Sequence, residues 1–373
     1  MILSPGQFQE KCAAVFRPEL RKNKKIERFR VSKKSGSALS RLRHLACAAL
    51  ATLALSTSLT ASSRAEQPDI ERIEISARPI ARFQIGLDQK IFGPLEFVGG
   101  LEMTSSSRNL GALSAFRFLK PGSDFIGVAD TGFWYFGRVA RDSALRPTGI
   151  ENFRMVQMVD SSGDAIEKKW QADAEGLAVK DGIATVGFER THRIAQYRID
   201  PDNIGAPFRE LDFLVPRNEL RTNRGFETVA YSAEKGGLVV VSEKSLDKAG
   251  NIFAAIIEGP KKGVFTVKRN GEFDITDGAF LPDGDLLLLE RSFSMASGVK
   301  MRLRRIASET IAMDQVADGP VLLEANMGYQ IDNMEGLDVW QRSDGALIVS
   351  LVSDDNHSIL QRNLYLEFIL HGD

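Results

Sequence analysis

Strand-like apolar runs that end in a carboxylate recur along this chain: IGVAD ending at Asp130, VGFE at Glu189, VVVSE at Glu243, LLLLE at Glu290 and LIVSLVSD at Asp354. Each follows a shorter strand-like segment with its own acid: Glu102 in GGLEM, Glu175 in AEGLA, Glu227 in FETVA, Asp277 in TDGAF and Glu335 in MEGLD. The leading acids lie 73, 52, 50 and 58 residues apart. Periods of roughly 40 to 50 residues with several short strands each are the mark of propeller blades, which must stack to bury both faces of every sheet. The stretch from 66 to 373 holds about six periods of about 51 residues. The spacing therefore predicts an all-β, six-bladed β-propeller, with the long first interval absorbed by an insertion over 133–166.

Within one period the strand signals are dense. Segments 176–179, 183–188 and 193–197 alternate with turns, and Asp-Gly pairs begin at Asp181, Asp283 and Asp344, where hairpins need positive φ. No window sustains a 3.6-residue apolar period with caps, so almost no helix is expected. A sixth blade would combine residues 70–95 with a C-terminal strand at 363–370, since joining the two ends of the chain removes exposed edges.

Charge divides the chain in two. Residues 1–65 hold 13 of the 48 basic residues and only the acids Glu10, Glu19 and Glu27, which leaves the remainder with a net charge of about −11. An apolar run from Leu45 to Ala61, behind Arg41 and Arg43 and ahead of Ser63-Arg64-Ala65, has the regions of a secretory signal peptide. The expected organisation is a leader over 1–65, cleaved after Ala65, and a single domain over 66–373. The mature protein is then periplasmic or secreted and monomeric, and meets a membrane only through an uncleaved leader. Cys12 and Cys47 both fall in the leader, so the domain has no disulfide framework and must rely on a large core. Its acidity argues against nucleic acid, which demands a basic surface.

In a propeller, equivalent positions of successive blades converge on one axis. A ring of acids there raises the pKa of each member unless a cation intervenes. A hard divalent ion such as Ca²⁺ takes six to eight oxygens, and Glu102, Glu175, Glu227, Glu335, Asp354 and Asp355 are the expected ligands. Around them Glu189, Arg190, His192, Arg291 and His357 are the candidate catalytic groups, each histidine lying three residues past a run-ending acid. The ordinary alternative is that the acids pair with neighbouring bases, as Glu189-Arg190, Glu243-Lys244 and Glu290-Arg291 suggest. Nucleophile elbows, phosphate loops and zinc-protease motifs are absent. Metal-assisted attack of water on a small anionic or ester substrate is what remains. The rival is a non-catalytic propeller that binds a ligand or an envelope partner.

Several blocks resemble a known family. NMEGLD (333–338), LVSDDN (351–356) and LQRNLYLEF (360–368), preceded by LLERSF (288–293), Gly298 and RLRRI (302–306), and earlier by GGLE (99–102) with Ala129-Asp130, are similar to the phytase-like, "esterase-like activity of phytase", family of secreted bacterial proteins. The resemblance implies a propeller-like domain and a hydrolase of phosphate or carboxylic esters, working with Ca²⁺. His357 stands where that pattern has an aromatic residue, and Asn363 where it has Thr.

Overall fold

The computed structural model describes residues 70–221 and 225–372. The expected leader over 1–65 lies outside these residues. Among the described residues, no helix is long and apolar enough to cross a membrane.

Four strands come first: β1 (Ile70–Arg72), β2 (Ser76–Ile80), β3 (Ile91–Phe92) and β4 (Leu95–Thr104). The first blade is β5 (Leu113–Phe118), β6 (Asp124–Ala129), β7 (Phe133–Arg141) and β8 (Pro147–Gln157), with β1 on its outer edge. The second is β9 (Ala174–Lys180), β10 (Ile183–Phe188), β11 (Arg193–Arg198) and β12 (Arg209–Leu211). The third is β13 (Phe226–Ser232), β14 (Gly237–Leu246), β15 (Ile252–Ile256) and β16 (Gly263–Val267), to which the short β20 (Val316–Ala317) adds in parallel. The fourth is β17 (Asp274–Phe280), β18 (Leu286–Ser294), β19 (Gly298–Ile306) and β21 (Val321–Ala325). The fifth joins β22 (Asn333–Gln341), β23 (Leu347–Asp354) and β24 (Asn363–Leu370) to β4 and β2. Strands β5, β9, β13, β17 and β22 are innermost and pack side by side around one axis.

The propeller thus has five blades, not six. The N-terminal strands found no blade of their own: β4 pairs with β24 from Leu95↔Leu370 to Met103↔Asn363, so the two ends of the chain do close the ring, but within the blade that carries Glu335. The expected insertion at 133–166 is instead the ordinary third and fourth strands of blade one, β7 and β8. Among the described residues, helix is confined to one turn, Lys169–Ala172, and a 3₁₀ turn, Ser308–Thr310. The Asp-Gly turns behave as expected, with positive φ at Asp181, Gly182, Gly284 and Gly345.

Burial follows from strands that are apolar on both faces. In β18, Leu286 and Leu288 enter the core against blade three, while Leu287 and Leu289 enter the core against blade five. The other blade contacts are filled in the same way, by Trp134 and Tyr197 between blades one and two, Phe226 and Ala178 between two and three, and Phe116 and Tyr365 between five and one. Each fully buried Leu, Val or Phe contributes about 1.5–3 kcal/mol, so the ring is held by its interfaces and needs no covalent link.

Candidate functional site

All five innermost strands carry a β-bulge at the same level near their N-terminal ends. The pairing skips one residue at Ser114, Glu175, Glu227, Thr276 and Glu335. A bulge leaves one residue out of the ladder and re-aims its side chain. Beside each bulge, on the second strand one residue past the partner of the residue that precedes the bulge, stand Asp130, Glu189, Glu243, Arg291 and Asp354 in blade order. The same backbone bond fixes three of these, from Asp130 N to Ala112 O at 3.0 Å, Glu189 N to Asp173 O at 2.9 Å and Glu243 N to Gly225 O at 2.9 Å. Bare glycines bring blades two and three together here: a Cβ on Gly176 or Gly187 would lie 2.8 Å from the Phe226 carbonyl.

The result is a carboxylate-walled mouth. Ligand-capable oxygens of Asp130, Asp173 and Glu175 lie within 4.8 Å of one another, as do those of Glu189, Glu227 and Glu243. Burial, then the charges of Asp130, Asp173 and Glu189, push the Glu175 carboxyl well above its ordinary range. Glu227, 7% exposed, is pushed up in the same way by burial and by Glu175, Glu243 and Glu189. Among the described residues its carboxylate makes no hydrogen bond or ion pair. Glu335 rises to about 8, again chiefly by burial, although Arg291 opposes the shift, and Asp354 rises to about 7 by burial and by the nearby Asp130 and Asp355.

Cations are fewer. Arg291 reaches Glu335 at 3.2 Å and Glu243 at 4.0 Å and donates to Asn333 Oδ1, while Asn333 Nδ2 donates to Glu335 at 2.6 Å. Lys169 pairs with Asp130 at 2.9 Å, and Arg190 with Asp173 at 2.5 Å. One oxygen, Asp130 Oδ1, is buried without any hydrogen-bond partner.

Below the bulges the shaft is closed. Arg117 leaves β5, forms two bonds of 2.8 Å with Asp277 of β17, and donates to the carbonyls of Leu337, Val229 and Gly278 on β22, β13 and β17. Asp277 also accepts the N–H groups of Leu337 at 2.8 Å and Gly278 at 2.7 Å. Burial still raises its pKa despite Arg117. The mouth is therefore a well with a floor rather than an open pore.

The sequence expectations divide accordingly. Glu175, Glu227, Glu335, Asp354, Glu189 and Arg291 come together at the mouth, with Arg190 beside them. Glu102 does not: it lies on β4, an outer strand of the closing sheet, paired with Arg78 at 2.5 Å and Arg362 at 3.7 Å. Asp355 accepts the His357 N–H and Asn363 Nδ2, both at 2.9 Å, and faces a separate groove with His357. His192 sits at the rim in a left-handed conformation, φ 39°, with a buried Nδ1 that lacks a partner among the described residues, and burial, then Arg217, lowers its pKa. Asp277 and Glu290 fall one residue out of the ring and follow the ordinary pairing alternative, Glu290 accepting from Arg302 and, at 2.7 Å, from Arg304 Nε. Asp130, Asp173, Glu243, Lys169 and Asn333 were absent from the expected site. Asp130 and Glu243 end apolar runs as Glu189 does, and Asp173 stands two residues before Glu175, so these three had a signal.

Comparison with known proteins gives a family match. Residues 108–357 match the family model described as phytase-like, esterase-like activity of phytase. No curated protein matches the chain. Among solved structures, the PQQ-bound aldose sugar dehydrogenase of Streptomyces coelicolor is 12% identical, covering 79% of this chain and 98% of its own, with a TM-score of 0.40. The endo-arabinase of Bacteroides thetaiotaomicron is 14% identical over 71% and 96%, TM-score 0.45, and the glutaminyl cyclase of Myxococcus xanthus is 10% identical over 75% and 97%, TM-score 0.39. Likenesses this distant carry no argument about chemistry.

Proposed function

The chain belongs to the phytase-like family, described by esterase-like activity of phytase, and from that premise we propose a secreted, divalent-cation-assisted hydrolase of phosphate or carboxylic esters that works at the channel mouth. The observation that carries this reading is the convergence of buried carboxylates, which among the described residues outnumber the cations beside them. Such a cluster is neutralised by protons or by a hard cation.

The donor set fits Ca²⁺. It consists of oxygens alone, and it includes Asp130 Oδ1 and the Glu227 carboxylate, both without a partner among the described residues. Glu175 with Asp130 and Asp173, and Glu227, Glu335 and Asp354 around the ring, are the residues that would hold the ion. Bound there, a cation supplies polarisation of an ester oxygen and a more acidic water.

The remaining roles fall to the chain's own groups. Arg291, fixed from one side by Asn333 and Glu335, presents its guanidinium to an anionic substrate in planar, multiply donating form. Arg190 is turned toward the cluster by Asp173. The floor formed by Arg117 and Asp277 keeps substrate at the mouth and excludes passage through the ring. His192 stands at the rim, where burial lowers its pKa and so favours the uncharged imidazole that can accept a proton. The basic, apolar leader of the sequence supports export.

The test is an assay of the purified protein on panels of phosphomonoesters and carboxylic esters, with chelator and with restored Ca²⁺. Turnover that chelator abolishes and Ca²⁺ restores is expected. Absence of turnover on both panels, with and without Ca²⁺, overturns the hydrolase reading.

A further inference from the structure

A second cavity lies beside the mouth. A groove of about 790 Å³ runs between the loop after β4 and the loop from β23 to β24, a size that accommodates a small organic molecule. One wall separates it from the well. Leu110 and Asp355 face the groove, while Ala112 O and Asp354 on the same two segments face the acid ring.

Its charges are already sorted. Glu102 is neutralised by Arg78 and Arg362, and Asp355 is occupied by the His357 N–H and Asn363 Nδ2. Arg362 is itself held by Gln330, the Ile331 carbonyl and Asp332. Among the described residues, the side chains of Arg108, His357 and Gln361 line the groove without a hydrogen bond or ion pair, and Arg108 and His357 are exposed. These groups offer donors to an anion. The apolar surface beside them comes from Met103, Leu110 and Ile359, the last standing fully in solvent at 101%.

We infer that this groove is a binding subsite for the distal part of the substrate, taking an organic acid, or its phosphorylated counterpart, with the anion on Arg108 and His357 and the carbon skeleton against Met103, Leu110 and Ile359. The substrate is then an elongated molecule, with the reacting ester over the mouth and the anion beyond the wall. That the bound molecule is substrate rests on the hydrolase reading above. That the groove binds such a molecule does not.

Calorimetric titration of the full-length protein in chelator, with gluconate and with inorganic phosphate as probes, tests it. One or both probes bind, and the tighter of the two tells carboxylate from phosphate. Arg108→Ala weakens that binding about tenfold or more, whereas Arg291→Gln at the mouth leaves it within about twofold. Arg108 is exposed and unpaired, so thermal unfolding of its variant matches the parent and a folding defect does not intervene. Binding lost in Arg291→Gln but kept in Arg108→Ala, equal losses in both, or no binding of either probe at about 10 mM overturns the inference. Groove binding without turnover on any ester sinks the hydrolase reading and leaves the subsite standing.

Discussion

Glu335 pairs with Arg291 and still has a pKa of about 8, because burial outweighs Arg291 and the Asn333 amide together. Its ordinary value is 4.5, so between about pH 4.5 and about 8 the native state binds more protons than the unfolded chain, and the contribution of Glu335 to stability falls as pH rises through that window. Asp354, moved from 3.8 to about 7, acts with the same sign. In the metal-free protein Glu335→Gln, which mimics the protonated form, is expected to unfold at a higher temperature than the parent at pH 8 and at the same temperature near pH 5. A lower melting temperature at pH 8 would mean that Arg291 keeps Glu335 ionised and that the cluster does not lack positive charge. At this scale much was legible. Glu175, Glu227, Glu335, Glu189, Asp354 and Arg291 were all readable from their place after or before an apolar run. Arg117 was not, because the partners that give it meaning lie 160 and 220 residues away.

The bulges decide which acid of each strand belongs to the mouth. A bulge shifts every later side chain by one position. A pattern that aligned Asp277 with Glu227, and Glu290 with Glu243, was therefore off by one in blade four, where Thr276 and Arg291 hold the equivalent places. Nothing local in TDGAF distinguishes Thr276 from Asp277 as the bulged residue. Glu102 misled for a related reason: GGLEM reads like AEGLA, but its strand is placed by pairing with β24 at the far end of the chain. The displaced Asp277 does structural service with Arg117, tying β5 to β13, β17 and β22. Arg117→Ala leaves a fully buried, unpaired Asp277 and is expected to cost about 3–5 kcal/mol in urea unfolding. A loss below about 1 kcal/mol, the range of an exposed pair, would show that the floor does not hold the inner strands together.

Across the whole molecule, the ring is closed by strands from both ends of the described chain. β4 lies between β2 and β24, so removing residues 363–372 strips a partner from both β4 and β23 and leaves two bare edges. Size-exclusion chromatography of that truncation is expected to show loss of soluble monomer, and a monomer with the parent's unfolding temperature would contradict closure through β24. Closure is also what turns separate acids into one site, because only a completed ring brings Asp354 of the fifth blade beside Asp130 of the first. The proposed chemistry requires that this site hold a hard cation. Calorimetric titration of the chelator-treated protein with Ca²⁺ at pH 8 tests it most directly. Saturable binding is expected, weakened at least tenfold by Glu175→Gln and by Glu227→Gln and unchanged by Glu102→Gln. No binding of Ca²⁺, or binding that Glu102→Gln abolishes and the mouth variants leave intact, would contradict it.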